Sequence, residues 1–227
     1  MLLCIPDILA ADEWRAMRDF VLAADWEDGR ATGGSQSGLV KKNRQLPVTG
    51  EAAGRAGDRV LDALGRSELF ISAALPLRIL PPMFNRYASD EHFGAHVDGS
   101  IRRPGASPVH IRTDLSATLF LSDPDDYDGG ELTIETAFGA QSVKLPGGSL
   151  VLYPASSLHR VTPVTRGERL ASFFWVQSMI RDNEKRSILF DLDQTIQRLR
   201  MDRGMDDQEC LSLSNIYHNL IRQWAET

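Results

Sequence analysis

The chain has 227 residues, 42% hydrophobic and 25% charged, with a formal net charge of −6, so it is long enough for one sizeable soluble domain with at most a small appendage. No basic run stands out, which argues against nucleic acid or an anionic membrane surface as a partner. The two cysteines, Cys4 and Cys210, form no CxxC pair, so neither a disulfide framework nor a thiolate metal site is expected, and a reducing compartment is the default.

The start, Met1 to Asp7, has no basic leader region, and Pro6 and Asp7 cut its apolar run short. That is not the pattern of a signal peptide. No apolar run approaches the length of a membrane span, so the expected location is the cytoplasm. Residues 2–5 read as a short strand. From about Ala10 to Ala24, Trp14, Met17, Phe20, Val21 and Ala24 recur at helical spacing, the pattern of an amphipathic helix laid on a sheet. Residues 28–45 are rich in Gly, Ser and Lys, with Gly33, Gly34, Ser35 and Gln36 in succession, and read as a loop or irregular strand. Glu51 to Gly65 predicts a second helix with Val60, Leu61 and Leu64 on its buried stripe, though Gly54 and Gly57 weaken it.

From Leu75 the texture changes to short β-branched and aromatic runs separated by turn residues. Leu77–Leu80 stops at Pro81-Pro82, and Met83–Tyr87 and Phe93–Asp98 follow. Residues 99–112 form a polar loop with Arg102, Arg103, His110 and Arg112, read equally as a lid or as a surface loop. Leu115–Leu121 is a strand, Asp123 to Gly130 an acidic turn. Glu131–Thr136, Gln141–Leu145, Ser149–Tyr153, His159–Val164 and Leu170–Gln177 complete the series. Many short strands with regular turns predict a β-sandwich or barrel core over about 75–178. After Gln177 the period becomes helical again. Asp182 caps a helix with Ile188, Leu192, Ile196 and Leu199 on one stripe, and Gly204 ends it. Leu213, Ile216, Tyr217, Leu220 and Trp224 mark another helix. This C-terminal hairpin, 179–227, is too small to hold a core and must dock on the first domain, 1–178, or on another subunit.

Candidate chemistry centres on His96-Val97-Asp98. On a strand, i and i+2 face the same way, so imidazole and carboxylate reach one point. His159 opens another strand 61 residues after Asp98. Two histidines and a carboxylate on one face of an ion leave the other face open, as in non-haem Fe(II) oxygenases. The same set serves catalytic zinc in hydrolases. His92, four residues before His96, is an alternative ligand on the same strand face. Arg169 heads an otherwise apolar strand, where a guanidinium can pair with a carboxylate in a bidentate way; an exposed arginine is the bland reading. Tyr87 either offers its hydroxyl to that carboxylate or is simply packed. Glu131, after Gly129-Gly130, belongs to turn geometry.

Several motifs stand in one order: His96-Val97-Asp98, Thr113 to Ser122, Tyr127-Asp128-Gly129-Gly130-Glu131-Leu132, Leu152-Tyr153-Pro154 through His159-Arg160-Val161, and Gly167-Glu168-Arg169. Together with Phe84-Asn85-Arg86-Tyr87 and Tyr217-His218-Asn219-Leu220, they resemble the bacterial PKHD-type hydroxylases, in the prolyl-4-hydroxylase-like branch of Fe(II)/2-oxoglutarate dioxygenases. The resemblance implies an α+β, mainly β fold: a double-stranded β-helix (jelly roll) core with N-terminal flanking helices and the C-terminal helical hairpin. It implies His96, Asp98 and His159 as iron ligands and Arg169 as the 2-oxoglutarate anchor, beside which the Tyr87 hydroxyl is the further candidate for cosubstrate binding. It further implies O2 as cosubstrate, succinate as product, and L-ascorbate as reductant. The substrate is not named; a peptidyl or free prolyl-type residue is one expectation. A link to iron homeostasis and a homodimer are others. The competing readings are a low-turnover iron or 2-oxoglutarate sensor and a zinc-dependent hydrolase.

Overall fold

The computed structural model describes residues 1–32, 37–105 and 108–227. Gly33 to Gln36, the centre of the predicted glycine-rich loop, lie outside the described residues. In chain order the strands are β1 (Leu3–Ile5), β2 (Glu27–Asp28), β3 (Lys41–Lys42), β4 (Arg44–Gln45), β5 (Pro76–Ile79), β6 (Met83–Ala88), β7 (His92–His96), β8 (Ile101–Arg102), β9 (Ile111–Arg112), β10 (Leu115–Phe120), β11 (Tyr127–Gly129), β12 (Leu132–Thr136), β13 (Gly139–Val143), β14 (Leu150–Pro154), β15 (His159–Val161) and β16 (Val164–Ser178). The helices are α1 (Ala11–Leu22), α2 (Glu51–Arg66), α3 (Glu68–Ala74), α4 (Asn183–Arg203) and α5 (Gln208–Trp224). Among the described residues no helix is long and apolar enough to cross a membrane.

Two antiparallel sheets face each other. The large one runs β1-β14-β10-β16-β6-β4-β2, with β5 and β11 also paired to β16; the small one runs β13-β12-β15-β7-β3. Strand alternation explains the layering. On β10, Leu115, Ala117 and Leu119 face one way and pack with Trp14, Met17 and Val21 of α1 and Val60 and Leu64 of α2. Phe120, on the opposite face, joins Tyr87, Tyr153, Val151, Ile134 and Val161 between the sheets. The molecule is thus three layers deep: helices, large sheet, small sheet. Each large apolar side chain buried this way contributes about 1.5–3 kcal/mol before chain entropy is subtracted.

The structure departs from the sequence reading at several elements. A separate short helix, α3, follows α2. Ser67 caps it by accepting a hydrogen bond from Phe70 N at 3.2 Å, and Leu75 ends it in a left-handed conformation at φ 42°. Its run of apolar residues is too short to show a period. β16 begins at Val164, well before Leu170. The polar head Thr165–Glu168 falls between two expected strands, yet it is part of β16 because β11 and β6 supply its partners. β7 stops at His96, so Asp98 lies beyond the strand.

The C-terminal hairpin docks on its own chain. Tyr217, Leu220, Ile221 and Trp224 of α5 pack on Leu75, Ile180 and Leu189, and Ser72 Oγ of α3 donates to Asp193 Oδ2 of α4 at 2.7 Å. Asp182 caps α4 through Glu184 N and Lys185 N, both at 2.9 Å. The buried stripe of α4 is Leu189, Phe190 and Ile196 with the aliphatic stem of Arg186. Ile188 and Ile216, expected on the buried stripes, are about half exposed. Ile188 points away where Arg186, whose Nη1 donates to Ile180 O at 2.7 Å, turns its own face of α4 inward.

Gly148 joins the helical layer to the large sheet. It sits at φ +85°, and a Cβ there would lie 2.2 Å from the Leu9 carbonyl oxygen. Gly54, inside α2, has open space around it. Gly148→Ala is therefore expected to destabilise the fold by about 1–3 kcal/mol, whereas Gly54→Ala stabilises it by about 0.5–1 kcal/mol. Urea titrations of the two variants check this; equal and small shifts would contradict it.

Candidate active site

His96 closes β7 and His159 opens β15, and the two are register partners on the small sheet. Their ring centroids lie 4.2 Å apart. Asp98 is fixed from the opposite sheet, where Ser116 Oγ on β10 donates to Asp98 Oδ2 at 2.6 Å. That carboxylate oxygen is 3.7 Å from His159 Nε2. One ligand atom from each of His96, Asp98 and His159 lies within 4.8 Å of the others. The sequence pattern named these three, and the fold brings them together. His92 stays outside the group, with its Nδ1 3.1 Å from the Asp90 carbonyl oxygen. Glu131 accepts a bond from Thr162 Oγ1 and holds a turn.

Both site histidines are oriented by their own strands. His96 Nδ1 lies 2.8 Å from Gly94 O, and His159 Nδ1 lies 3.0 Å from Ser157 O. A carbonyl only accepts, so the proton belongs on each Nδ1 and the lone pair on each Nε2. Burial, then the neighbouring His159, push His96 down to about 4. It is therefore neutral near pH 7, the form a metal requires. Phe93 stacks on the His96 ring with centroids 3.6 Å apart, and Tyr153 meets the His159 ring edge-on at 5.3 Å. The side chains of His159 and Asp98 are only 6% and 8% exposed. Two imidazoles and a buried carboxylate suit a divalent ion, Fe(II) or catalytic zinc alike.

The second half of the site lies along β16. Register places Tyr87 beside Arg169, Asn85 beside Ala171 and Met83 beside Phe173. On the other side, Thr118 lies beside Phe173 and Ser116 beside Trp175. Arg169 is 1% exposed, which overturns the reading of it as a surface arginine. Its guanidinium carbon lies 5.4 Å from the Tyr87 ring centroid and 5.1 Å from that of Phe120. Its Nε and Nη1 are buried without a hydrogen-bond partner. An unmet buried donor costs about 1–3 kcal/mol, more when charged, so these atoms fit a carboxylate ligand. Burial pushes the Tyr87 hydroxyl up to about 12, which keeps its proton available for donation. Triad, Arg169 and Tyr87 line one cleft with about 740 Å³ of atom-free space, its open mouth included.

Some cleft residues carry no motif in the sequence. Lys41, from the edge strand β3, is 5% exposed and lines the cleft. Burial, then Arg102, push it down to about 8. Phe173 and Trp175 were visible only as apolar residues of a strand; their inward face follows from two-residue alternation starting at Arg169. The segment 99–112 is not a simple loop. β8 and β9 pair into a two-stranded ribbon, with Thr113 Oγ1 donating to Gly99 O at 2.8 Å. The ribbon carries Arg102 inward, with its guanidinium carbon 3.6 Å above the Trp175 ring.

Residues 82–177 match the 2OG-Fe(II) oxygenase superfamily, and residues 183–226 match the PKHD-type hydroxylase C-terminal domain. A PKHD-type hydroxylase of Rhizorhabdus wittichii is 56% identical over 226 residues, covering 100% of both chains. One from Burkholderia thailandensis is 55% identical with the same coverage. Among solved structures, a Pseudomonas putida prolyl-4-hydroxylase aligns with a TM-score of 0.52 at 23% identity, covering 78% of this chain and 92% of that one. A 2OG-Fe(II) oxygenase-family oxidoreductase from Burkholderia pseudomallei aligns with a TM-score of 0.56 at 17% identity, covering 80% and 86%. These likenesses carry the jelly-roll fold, and the full-length identities carry the family: the chain belongs to the PKHD-type hydroxylases and is a 2-oxoglutarate-dependent dioxygenase.

Proposed function

We propose that His96, Asp98 and His159 hold Fe(II) and that Arg169, helped by the Tyr87 hydroxyl, grips the far carboxylate of 2-oxoglutarate, for hydroxylation of a C–H bond in an as yet unidentified substrate. The observation that carries this reading is the pair of unpartnered, buried Arg169 donors in the same cleft as the triad. A zinc hydrolase has no use for such an anchor. Bound Fe(II) would activate O2, the oxidant, while 2-oxoglutarate would supply two electrons as it loses CO2 to become succinate, one oxygen atom going to succinate and the other to the substrate C–H bond.

The chain's own residues bind, orient and exclude water. The Gly94 and Ser157 carbonyls aim the imidazoles. Ser116 holds the Asp98 carboxylate while leaving its remaining lone pairs to the metal. Arg169 and Tyr87 provide a paired charge and O–H donor deep in the cleft. Phe93, Phe173 and Trp175 keep the surroundings apolar, which strengthens each electrostatic contact. Ascorbate as the reductant, a prolyl-type target, a cytoplasmic location and a role in iron homeostasis are parts of the same reading, supported by the family resemblance. A division of the chain at residue 178 and a homodimer belong to the reading on other grounds: the helical period that sets in after Gln177, and the exposed side of the C-terminal hairpin, where Ile188, Leu211 and Ile216 lie about half exposed.

Anaerobic addition of Fe(II) and then 2-oxoglutarate to the metal-free protein should produce a visible charge-transfer band. His96→Ala should abolish it. Arg169→Ala should leave iron binding in place and raise the 2-oxoglutarate needed by more than about tenfold, the loss expected for a buried charged hydrogen-bond partner. No band in folded, iron-loaded wild type would sink the assignment of these roles. Ser116→Ala, which removes only the bond to Asp98, should weaken Fe(II) binding by about 10–100-fold. A competition titration against a coloured chelator measures it, and unchanged affinity would contradict the role given to Ser116.

A further inference from the structure

The cleft contains a second cationic cluster that the assigned roles leave unused. Lys41 enters from β3, its Nζ 5.4 Å from the Phe93 ring centroid and 5.9 Å from that of Phe173. Gln45 Oε1 accepts from it at 2.9 Å. Arg102 enters from the ribbon and lies on Trp175. The Nε of Arg102 is buried without a hydrogen-bond partner, and so is the indole Nε1 of Trp175, a residue 4% exposed. The two cations are close enough for Arg102 to disfavour the charged form of Lys41, and burial disfavours the charge on both. Like charges gathered in a partly dry cleft are costly unless an anion completes them.

The unpartnered donors of Arg169 and those of Arg102 and Trp175 are two separate sets. Phe173 and Trp175 stand four and six residues beyond Arg169 on β16, which is about 13 and 20 Å along an extended strand, so a carboxylate held by Arg169 does not also serve the second set. Lys41, Arg102, Phe173 and Trp175 line the same cleft as His96, Asp98 and His159, and Ser116, which holds Asp98, is the register partner of Trp175. An anion held there lies beside the proposed metal site, where a substrate must also lie.

We propose that the substrate bears a carboxylate, gripped by Lys41 and Arg102, and an apolar body laid against Phe173 and Trp175. A carboxylate matches the fork of a guanidinium in plane and spacing, and the indole N–H adds a third donor. The inference rests on the dioxygenase roles proposed above, because they assign the Arg169 donors to the cosubstrate and leave the Lys41 and Arg102 pair for the substrate.

The test compares phenylacetate with phenylacetamide, its neutral isostere, on the Fe(II)- and 2-oxoglutarate-loaded protein without oxygen, by calorimetry. N-acetyl-Ala-Ala-Phe with a free or an amidated C-terminus runs beside them, to separate a small acid from a chain end. Wild type should prefer acid over amide by about tenfold or more in at least one pair, as for a desolvated charge-assisted contact. Arg102→Met and Lys41→Met should each erase most of that preference. Arg102→Lys should keep part of it, and 2-oxoglutarate affinity should stay within about threefold in all three variants. Equal binding of acid and amide in both pairs overturns the proposal. So does a parallel loss of 2-oxoglutarate affinity, which would assign the cluster to the cosubstrate. If 2-oxoglutarate does not bind wild type at all, the anchor role of Arg169 falls, while the acid-over-amide comparison on the iron-loaded protein still decides the anion site.

Discussion

The hydrogen bond from Ser116 Oγ to Asp98 Oδ2 ties the two sheets together at the point where the chemistry is assembled. Asp98 lies past the end of β7, so no ladder bond fixes it; the serine of the opposite sheet does. The two histidines are set by register within the small sheet, the carboxylate by a contact across the sandwich. A hydrogen bond to a carboxylate is worth about 1.5–3 kcal/mol, and this one converts the spacing between sheets into the spacing between donor atoms.

β10 and β16 belong to two environments at once. Leu115, Ala117 and Leu119 of β10 anchor the helical layer, while Ser116 and Thr118 line the cleft. On β16, Leu170, Phe174 and Val176 pack behind the sheet, while Arg169, Phe173 and Trp175 look into it. A close-packed core transmits small displacements, so the helices α1 and α2 are the rigid backing against which cleft residues keep their positions. The two-residue alternation that makes a good sheet core on one face thus writes the site on the other.

The sequence made the triad, the candidate arginine and most strands legible, because each leaves a local mark: a one-residue gap, a turn dipeptide, an arginine at the head of an apolar run. What it concealed was set by distant partners. The polar residues Thr165–Glu168 are a strand only because β11 and β6 lie alongside. Lys41 looks like one basic residue of a surface loop until β3 pairs with β7 and turns it inward. Arg102 reads as loop charge until the ribbon sets it on Trp175. Ile188 fits a helical stripe by spacing, yet a buried arginine fixes a different face of α4.

The three side chains that could hold an ion come from two ends of a long span of chain, His159 standing 61 residues after Asp98. His96 and Asp98 are neighbours that any ion can find in a disordered chain; His159 joins them only once β7 and β15 have met. An ion shared by all three is therefore a removable cross-link. By chain-entropy reasoning, closing a loop of that size restricts the unfolded ensemble by about 4 kcal/mol. An ion held there would staple shut the pairing of β7 with β15, the strand pairing of longest reach in the small sheet, and its removal would leave a looser molecule.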